Sequence, residues 1–380
     1  MFIKAFKTEL NPTKKQEQFL LQSCGVARFA WNWALNRVND KTSKPNAIEL
    51  HKELCLIKKS EFPWMYDVSK CAPQYALRHL QEAVKRSWSK PIIVERNKKI
   101  AKAKTDKEKA IAFNYAKPKF KKRGQHDSFT VDGTIKVFDN KIQLPVIGKI
   151  NLKEKDYLPL GKMTSATITY KAGKWFVSVM QEIDIQQPEL TDEVIGVDLG
   201  IKTLAVCSNG LVFENPKYLK RSMKKLKRQQ RCLSRRVKGS NNRSKQQRLL
   251  SKTHYKISCE RQDSLHKITT ALVKTKPKAI VIEDLNVKGM MANHKLAQAI
   301  SDCGFYEFRR QLEYKCKWSG IELKVIDRFF PSSKLCNNCG SIKEDLKLSD
   351  RTYKCECGYE NDRDVNASYN IRDYYLKQIP

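Results

Sequence analysis

The sequence predicts an α/β domain on an open, partly parallel sheet in its C-terminal half, preceded by a small antiparallel β-structure interrupted by helices. Two short apolar runs, Val194-Ile-Gly-Val-Asp198 and Ala279-Ile-Val-Ile-Glu283, each end in an acid, and unbroken apolar runs of this length suit strands buried on both faces. A Lys/Arg-rich helical stretch separates them. Earlier in the chain, alternation such as Thr167-Ile168-Thr169-Tyr170 and Phe176-Val177-Ser178-Val179 marks half-buried antiparallel strands.

In chain order, residues 2–8 alternate as an opening strand that stops at Asn11-Pro12, and Thr13-Lys-Lys-Gln16 resembles a capping box. Helical periodicity then runs to about Lys90. Phe19, Leu20, Val26, Phe29, Ala30, Trp33 and Leu35 form one expected core face, and Tyr75, Leu77, Leu80, Ala83, Val84 and Trp88 another. Residues 98–122, rich in Lys and Ala, read as an exposed helix or an arm lying along a phosphate backbone. Strands are expected at 128–131, 134–138, 141–144, 166–170 and 174–180, and Gln186-Gln-Pro188 marks a boundary. After it come a strand meander through Asn209-Gly210 and a basic helical hairpin over 217–270, broken at Gly239-Ser-Asn-Asn242. The second apolar strand, a helix over 296–318 and a strand at 321–326 follow.

At 380 residues the chain should hold two or three cores. Its 74 Lys plus Arg against 40 Asp plus Glu give a formal charge of +34, which favours a polyanion and makes nucleic acid the default partner. No apolar run reaches the roughly 18–20 residues of a membrane span, so no membrane partner is expected. The start, Met1-Phe-Ile-Lys-Ala-Phe-Lys, has no apolar signal core, so the twelve cysteines should be reduced thiols inside a cell. Cys24, Cys55, Cys71, Cys207, Cys232, Cys259, Cys303 and Cys316 lack ligand spacing and are expected to be buried packing residues.

The other four are spaced differently. Cys336-Asn-Asn-Cys339-Gly340 and Cys355-Glu-Cys357-Gly358 offer four soft ligands in two close pairs, which suits one tetrahedral Zn²⁺ in a structural ribbon. Three further segments each offer a carboxylate: Asp198, Glu283, and an Asp in Asp362-Arg-Asp364-Val-Asn-Ala. Adjacent parallel strands gather such acids at their carboxyl ends. Together they could hold two Mg²⁺ ions, or Mn²⁺, about 3.5–4 Å apart for in-line attack on a phosphodiester. At a helix start, positions two apart point about 200° from each other, so one Asp of the last segment faces the site.

The motifs Gly-Val-Asp198-Leu-Gly-Ile-Lys, Ile-Glu283-Asp-Leu, Phe330-Pro-Ser-Ser-Lys-Leu-Cys336-Asn-Asn-Cys-Gly and Asp362-Arg-Asp364-Val-Asn-Ala, with Phe29-Ala-Trp31-Asn in support, resemble the TnpB (OrfB) proteins of insertion sequences. These are relatives of the type V CRISPR effectors and the Fanzor proteins. The resemblance covers nearly the whole chain. It implies an RNase H-like (RuvC-type) nuclease domain at 190–331 and 361–380 with a zinc ribbon inserted at 332–360. It also implies a wedge-type β-barrel at 1–12 and 115–187, split by a helical recognition insertion at 13–114. It implies Asp364 as the third catalytic acid, which leaves Asp362 to cap the helix or to pair with Arg363 or another cation.

By that resemblance the chain is an RNA-guided, Mg-dependent DNA endonuclease encoded by a transposon. It would bind a guide RNA from the transposon end and cut double-stranded DNA beside a short flanking motif, in the prokaryotic cytoplasm at the nucleoid. Arg228, Arg231, Arg235 and Arg236 on the basic hairpin are its expected nucleic-acid contacts. Two other readings stand beside it: a guide-directed DNA-binding repressor without cleavage, and a transposase that joins DNA strands.

Overall fold

The computed structural model describes residues 2–125, 127–347 and 350–377. The domain limits expected at residues 1 and 378–380, and ribbon positions 348 and 349, lie outside the described residues. The chain divides into two compact units, one running to Asp184 and one from Ile185.

In the first unit, strand β1 (Phe2–Asn11) leads into helix α1 (Lys14–Asn39). The Thr13 hydroxyl accepts the Gln16 N–H at 3.3 Å while the Gln16 side chain accepts the Thr13 N–H at 3.0 Å, which completes the capping box. Helices α2 (Ala47–Glu61), α3 (Cys71–Ser87), α4 (Lys90–Lys102) and α5 (Asp106–Phe113) follow. Then come β2 (Ser128–Val131), β3 (Lys136–Phe138), β4 (Lys141–Leu144), β5 (Gly148–Leu152), β6 (Met163–Lys171) and β7 (Lys174–Ile183).

The seven strands form one sheet in the order β2-β6-β7-β1-β5-β4-β3, with β1 antiparallel to β7 from Phe2↔Ile183 to Leu10↔Trp175. Leu20, Leu35, Leu50, Leu77 and Leu80 of the helices share a core with Ile142, Ile150 and Val177 of the sheet. Strand β5 was not expected; it is defined by its partners β1 and β4 rather than by local pattern. Trp88, expected in the core, is 62% exposed just past the end of α3.

The second unit carries β8 (Val194–Leu199), β9 (Thr203–Cys207), β10 (Val212–Glu214), α6 (Tyr218–Arg235), α7 (Asn241–Lys274) and β11 (Ala279–Glu283). Next are α8 (Val287–Met290), α9 (Ala297–Cys303), α10 (Phe305–Ser319), β12 (Glu322–Ile326), β13 (Thr352–Lys354), β14 (Glu360–Asp362) and α11 (Arg363–Leu376). Five strands make a mixed sheet, β10-β9-β8-β11-β12, in which β8, β11 and β12 are parallel and the β8-β9-β10 meander is antiparallel.

Strand alternation sends Ile195, Val197, Ile280 and Ile282 into a core with α7 and α10, and Val194, Ala279 and Val281 into another with Ile371 and Tyr375 of α11. The helix expected over 296–318 is two helices, because Gly304 at φ +69° takes a left-handed turn that ends α9 and starts α10. Cys55 and Cys232, expected to be buried, are exposed, and Cys259 is half-buried. Among the described residues no helix is long and apolar enough to cross a membrane.

Candidate functional site

Asp198 and Glu283 reach one place through register and parity. In the parallel pair β8/β11, Val281 lies opposite Gly196 and Ile282 opposite Val197, so the next step up sets Glu283 beside Asp198. Both acids share the parity of Val194 and of Ala279 and Val281, and so lie on the face covered by α11. Gly196, without a side chain, lets α11 press onto β8 at Ser368 and Arg372. One helical turn before Ser368, that helix presents Asp364.

Asp198, Glu283 and Asp364 all line a single cleft of about 830 Å³. Asp198 is half-buried at this cleft. Burial first, and then the like charges of Glu283 and Asp364, push its carboxyl well above the usual carboxylate range, with Arg363 opposing. Glu283 is also raised, by burial, against a hydrogen bond donated by the Ser332 hydroxyl. Asp364 pairs with Arg363 at 3.4 Å and Arg351 at 3.8 Å.

Two neighbouring acids are otherwise engaged. Asp284 is held by Arg309 at 2.9 Å and by Arg328. Asp362 caps α11, its carboxylate accepting from the N–H groups of Asp364 at 2.8 Å and Val365 at 3.2 Å.

Four lysines missed by the sequence reading, Lys202, Lys217, Lys220 and Lys295, also line the cleft. None makes an ion pair among the described residues. They come from separate loops and helix starts, so no local pattern joins them; Lys202 alone stood in a quoted motif. Asp302 supports this wall, its buried carboxylate accepting the N–H groups of Leu219 at 3.0 Å and Lys220 at 3.4 Å at the start of α6. Further along α6, Arg228, Arg231 and Arg235 are exposed at three- and four-residue steps, on the face opposite the buried Leu226, and Arg236 is exposed just past the helix end.

The four cysteines of the ribbon meet as well. Their sulfurs all lie within 4.8 Å of one another, with Cys336 and Cys357 at 3.7 Å and Cys339 and Cys355 at 3.6 Å. Gly340 (φ +77°) and Gly358 (φ +86°) close the two turns by donating to the carbonyls of Cys336 and Cys355. Such a set of thiols fits a tetrahedral soft ion.

Carboxamides join the ribbon to α11. Asn366 donates to the Leu335 carbonyl at 2.8 Å, Asn370 to Leu335 at 2.7 Å and Ser332 at 2.8 Å, and Asn337 donates its N–H to Asn366 at 3.2 Å. Asn366 and Asn370 are almost fully buried.

Comparison with known proteins agrees in several segments. Residues 176–294 match a family described as "Probable transposase" (OrfB_IS605), and residues 305–371 one described as "Cas12f1-like, TNB domain". Residues 1–44 match a "Helix-turn-helix domain", although here they form a strand and one long helix. A Streptomyces pristinaespiralis protein named "Putative RNA-guided DNA endonuclease" is 36% identical over 97% of this chain and 88% of its own length. An Escherichia coli K12 protein, "Putative RNA-guided DNA endonuclease InsQ", is 32% identical over 97% of this chain and 91% of its own. The solved structure of CasPhi-2 (Cas12j) bound to crRNA overlaps 99% of this chain and 98% of its own, at a TM-score of 0.49 and 10% identity.

Proposed function

We propose, for a chain that belongs to the TnpB (OrfB) family, that it is an RNA-guided DNA endonuclease whose cleft at Asp198, Glu283 and Asp364 hydrolyses phosphodiester bonds. The observation that carries the chemistry is the convergence of three carboxylates from β8, β11 and α11 on one open cleft ringed by lysines. Hard oxygen donors that repel one another as Asp198, Glu283 and Asp364 do are a fitting set for Mg²⁺ or Mn²⁺. Asp198, Glu283 and Asp364 are the residues that would hold such ions. Such ions, when bound, supply an activated water and stabilise the leaving oxygen.

The chain's own residues do the rest. Lys202, Lys217, Lys220 and Lys295 receive the phosphodiester backbone, Arg351 and Arg363 hold Asp364 in place, and Ser332 orients Glu283. Water oxygen bonds to phosphorus as the P–O bond to the leaving strand breaks; the water's proton passes to solvent, and solvent returns one to the leaving oxygen. Arg228, Arg231, Arg235 and Arg236 contribute further phosphate contacts.

Within this reading the second unit is an RNase H-like (RuvC-type) nuclease domain, at 190–331 and 361–380, with a structural zinc ribbon at 332–360. The seven-stranded sheet with its helices is the wedge-type barrel, 1–12 and 115–187, and its recognition insertion, 13–114. The partners are a guide RNA from the transposon end and double-stranded DNA carrying a short flanking motif, and the enzyme acts beside the nucleoid in a prokaryotic cytoplasm.

The test is incubation with the RNA that copurifies with the chain, a matching DNA duplex and Mg²⁺. Simple broken ends on both strands, abolished by a chelator, support the reading. Strand joining would favour the transposase that the matched family's description names, and binding without cutting would favour a repressor.

A further inference from the structure

The segment Lys117-Pro-Lys-Phe-Lys-Lys-Arg123 places five cations in seven residues, outside any helix or strand. It is nevertheless pinned. The Trp31 indole N–H donates to the Lys119 carbonyl at 3.0 Å. The Asn32 carboxamide takes both backbone groups of Lys121, donating to its carbonyl at 3.0 Å and accepting its N–H at 2.8 Å, and so stands in for a neighbouring strand. Beyond it, Gly124 donates to Asp127, which is paired with Arg28 at 2.9 Å.

Two of the charges turn onto aromatic rings: the Lys121 ammonium lies 3.9 Å from the Trp31 centroid and that of Lys117 3.4 Å from the Phe113 centroid. Lys119, Lys122 and Arg123 are exposed, and among them the Phe120 ring is 50% exposed. Among the described residues none of the five cations makes an ion pair.

A fixed row of like charges repels itself until a polyanion shares it. Lysines alone would serve any phosphate backbone, but an exposed ring between them adds a surface on which a base can stack. Bases of a duplex are already stacked on one another. We infer that residues 117–123 form a strap that holds an unpaired stretch of RNA, its phosphates on Lys119, Lys122 and Arg123 and a base on Phe120. The inference rests on the RNA-guided reading, in which the RNA carries unpaired stretches from the start and the target enters as duplex.

The test uses the full chain and three labelled probes: the copurifying RNA transcribed afresh, a DNA duplex, and single-stranded DNA of equal length. The triple variant Lys119→Ala/Lys122→Ala/Arg123→Ala should bind the RNA about tenfold more weakly, with a salt slope flatter by about 2. Phe120→Ala should weaken RNA binding about threefold and leave the slope unchanged. Lys119→Arg/Lys122→Arg should bind as the parent does, and duplex affinity should stay within about twofold in every variant.

Unchanged RNA binding in the triple variant, or an equal loss on duplex or on single-stranded DNA, would overturn the assignment. Cleavage by the parent is scored separately. A parent that cuts DNA with its RNA beside an unaffected triple variant sinks the strap alone, whereas a parent that binds RNA through the strap and never cuts sinks the nuclease reading alone.

Discussion

Gly196 lies against the backbone of Ser368: a Cβ on residue 196 would stand 2.1 Å from the Ser368 carbonyl oxygen and 2.5 Å from the Arg372 nitrogen. The last helix therefore sits on β8 at backbone contact, and Asp364 is carried to Asp198 by that contact. Gly196→Ala should cost about 1–3 kcal/mol of stability through overpacking. It should also lower DNA cleavage while leaving RNA binding in place. Denaturant unfolding and cleavage assays on one preparation check this; a variant as stable and active as the parent would show that α11 can shift without consequence.

Asp198→Asn keeps the shape of the side chain and removes one of three mutually repelling charges. Cleavage should fall by about 100-fold or more, as it should for Glu283→Gln. Stability should move the other way. Because burial and its neighbours hold the Asp198 carboxyl high, its ionised form costs folding energy at neutral pH, so without divalent cations the Asn variant should unfold at a higher denaturant midpoint than the parent. Mg²⁺ should raise the parent's midpoint more than the variant's.

Asp362 and Asp364, two residues apart, should separate stability from turnover. Asp362→Ala removes the cap of α11 and should cost about 1 kcal/mol with cleavage largely kept. Asp364→Asn should abolish cleavage with little change in the unfolding midpoint. Reversed outcomes would exchange the two assignments.

The ribbon should hold about one equivalent of zinc by metal analysis. Cys336→Ser should lose the metal and reduce cleavage. Asn366→Ala, which leaves every cysteine in place, should keep the zinc and still reduce cleavage, because the Leu335 carbonyl and the Asn337 N–H lose a partner that ties the ribbon to the helix of Asp364. Full cleavage by a zinc-free preparation would remove the ribbon from the mechanism.

That Asp198 meets Glu283 and that the four cysteines meet one another could be read from sequence because the signals are local: an apolar run that ends in an acid, or thiols a turn apart. Strand parity then carries the acids to one face. Other features depend on distant partners. Gly-Lys-Ile-Asn-Leu at 148–152 is too short to announce β5 before β1 and β4 flank it. The helix over 296–318 read as continuous because apolar spacing persists across Gly304, whose left-handed backbone breaks it. Lys217, Lys220 and Lys295 are ordinary basic residues until the fold brings their segments to the cleft, and nothing in Val194-Ile-Gly196 says that a helix more than 160 residues later will need the missing side chain.

The apolar undersides of Val194, Ala279 and Val281 are covered by Ile371 and Tyr375 of the same helix that brings Asp364. The cover of that face and the third carboxylate of the cleft therefore belong to one element, the last to be synthesised. Under the proposed function, a chain that ends ahead of Arg363 should not cut DNA. A product stopped ahead of Arg363 would leave Val194, Ala279 and Val281 without their cover and would lack Asp364, so one truncation removes both a core face and an acid of the proposed site.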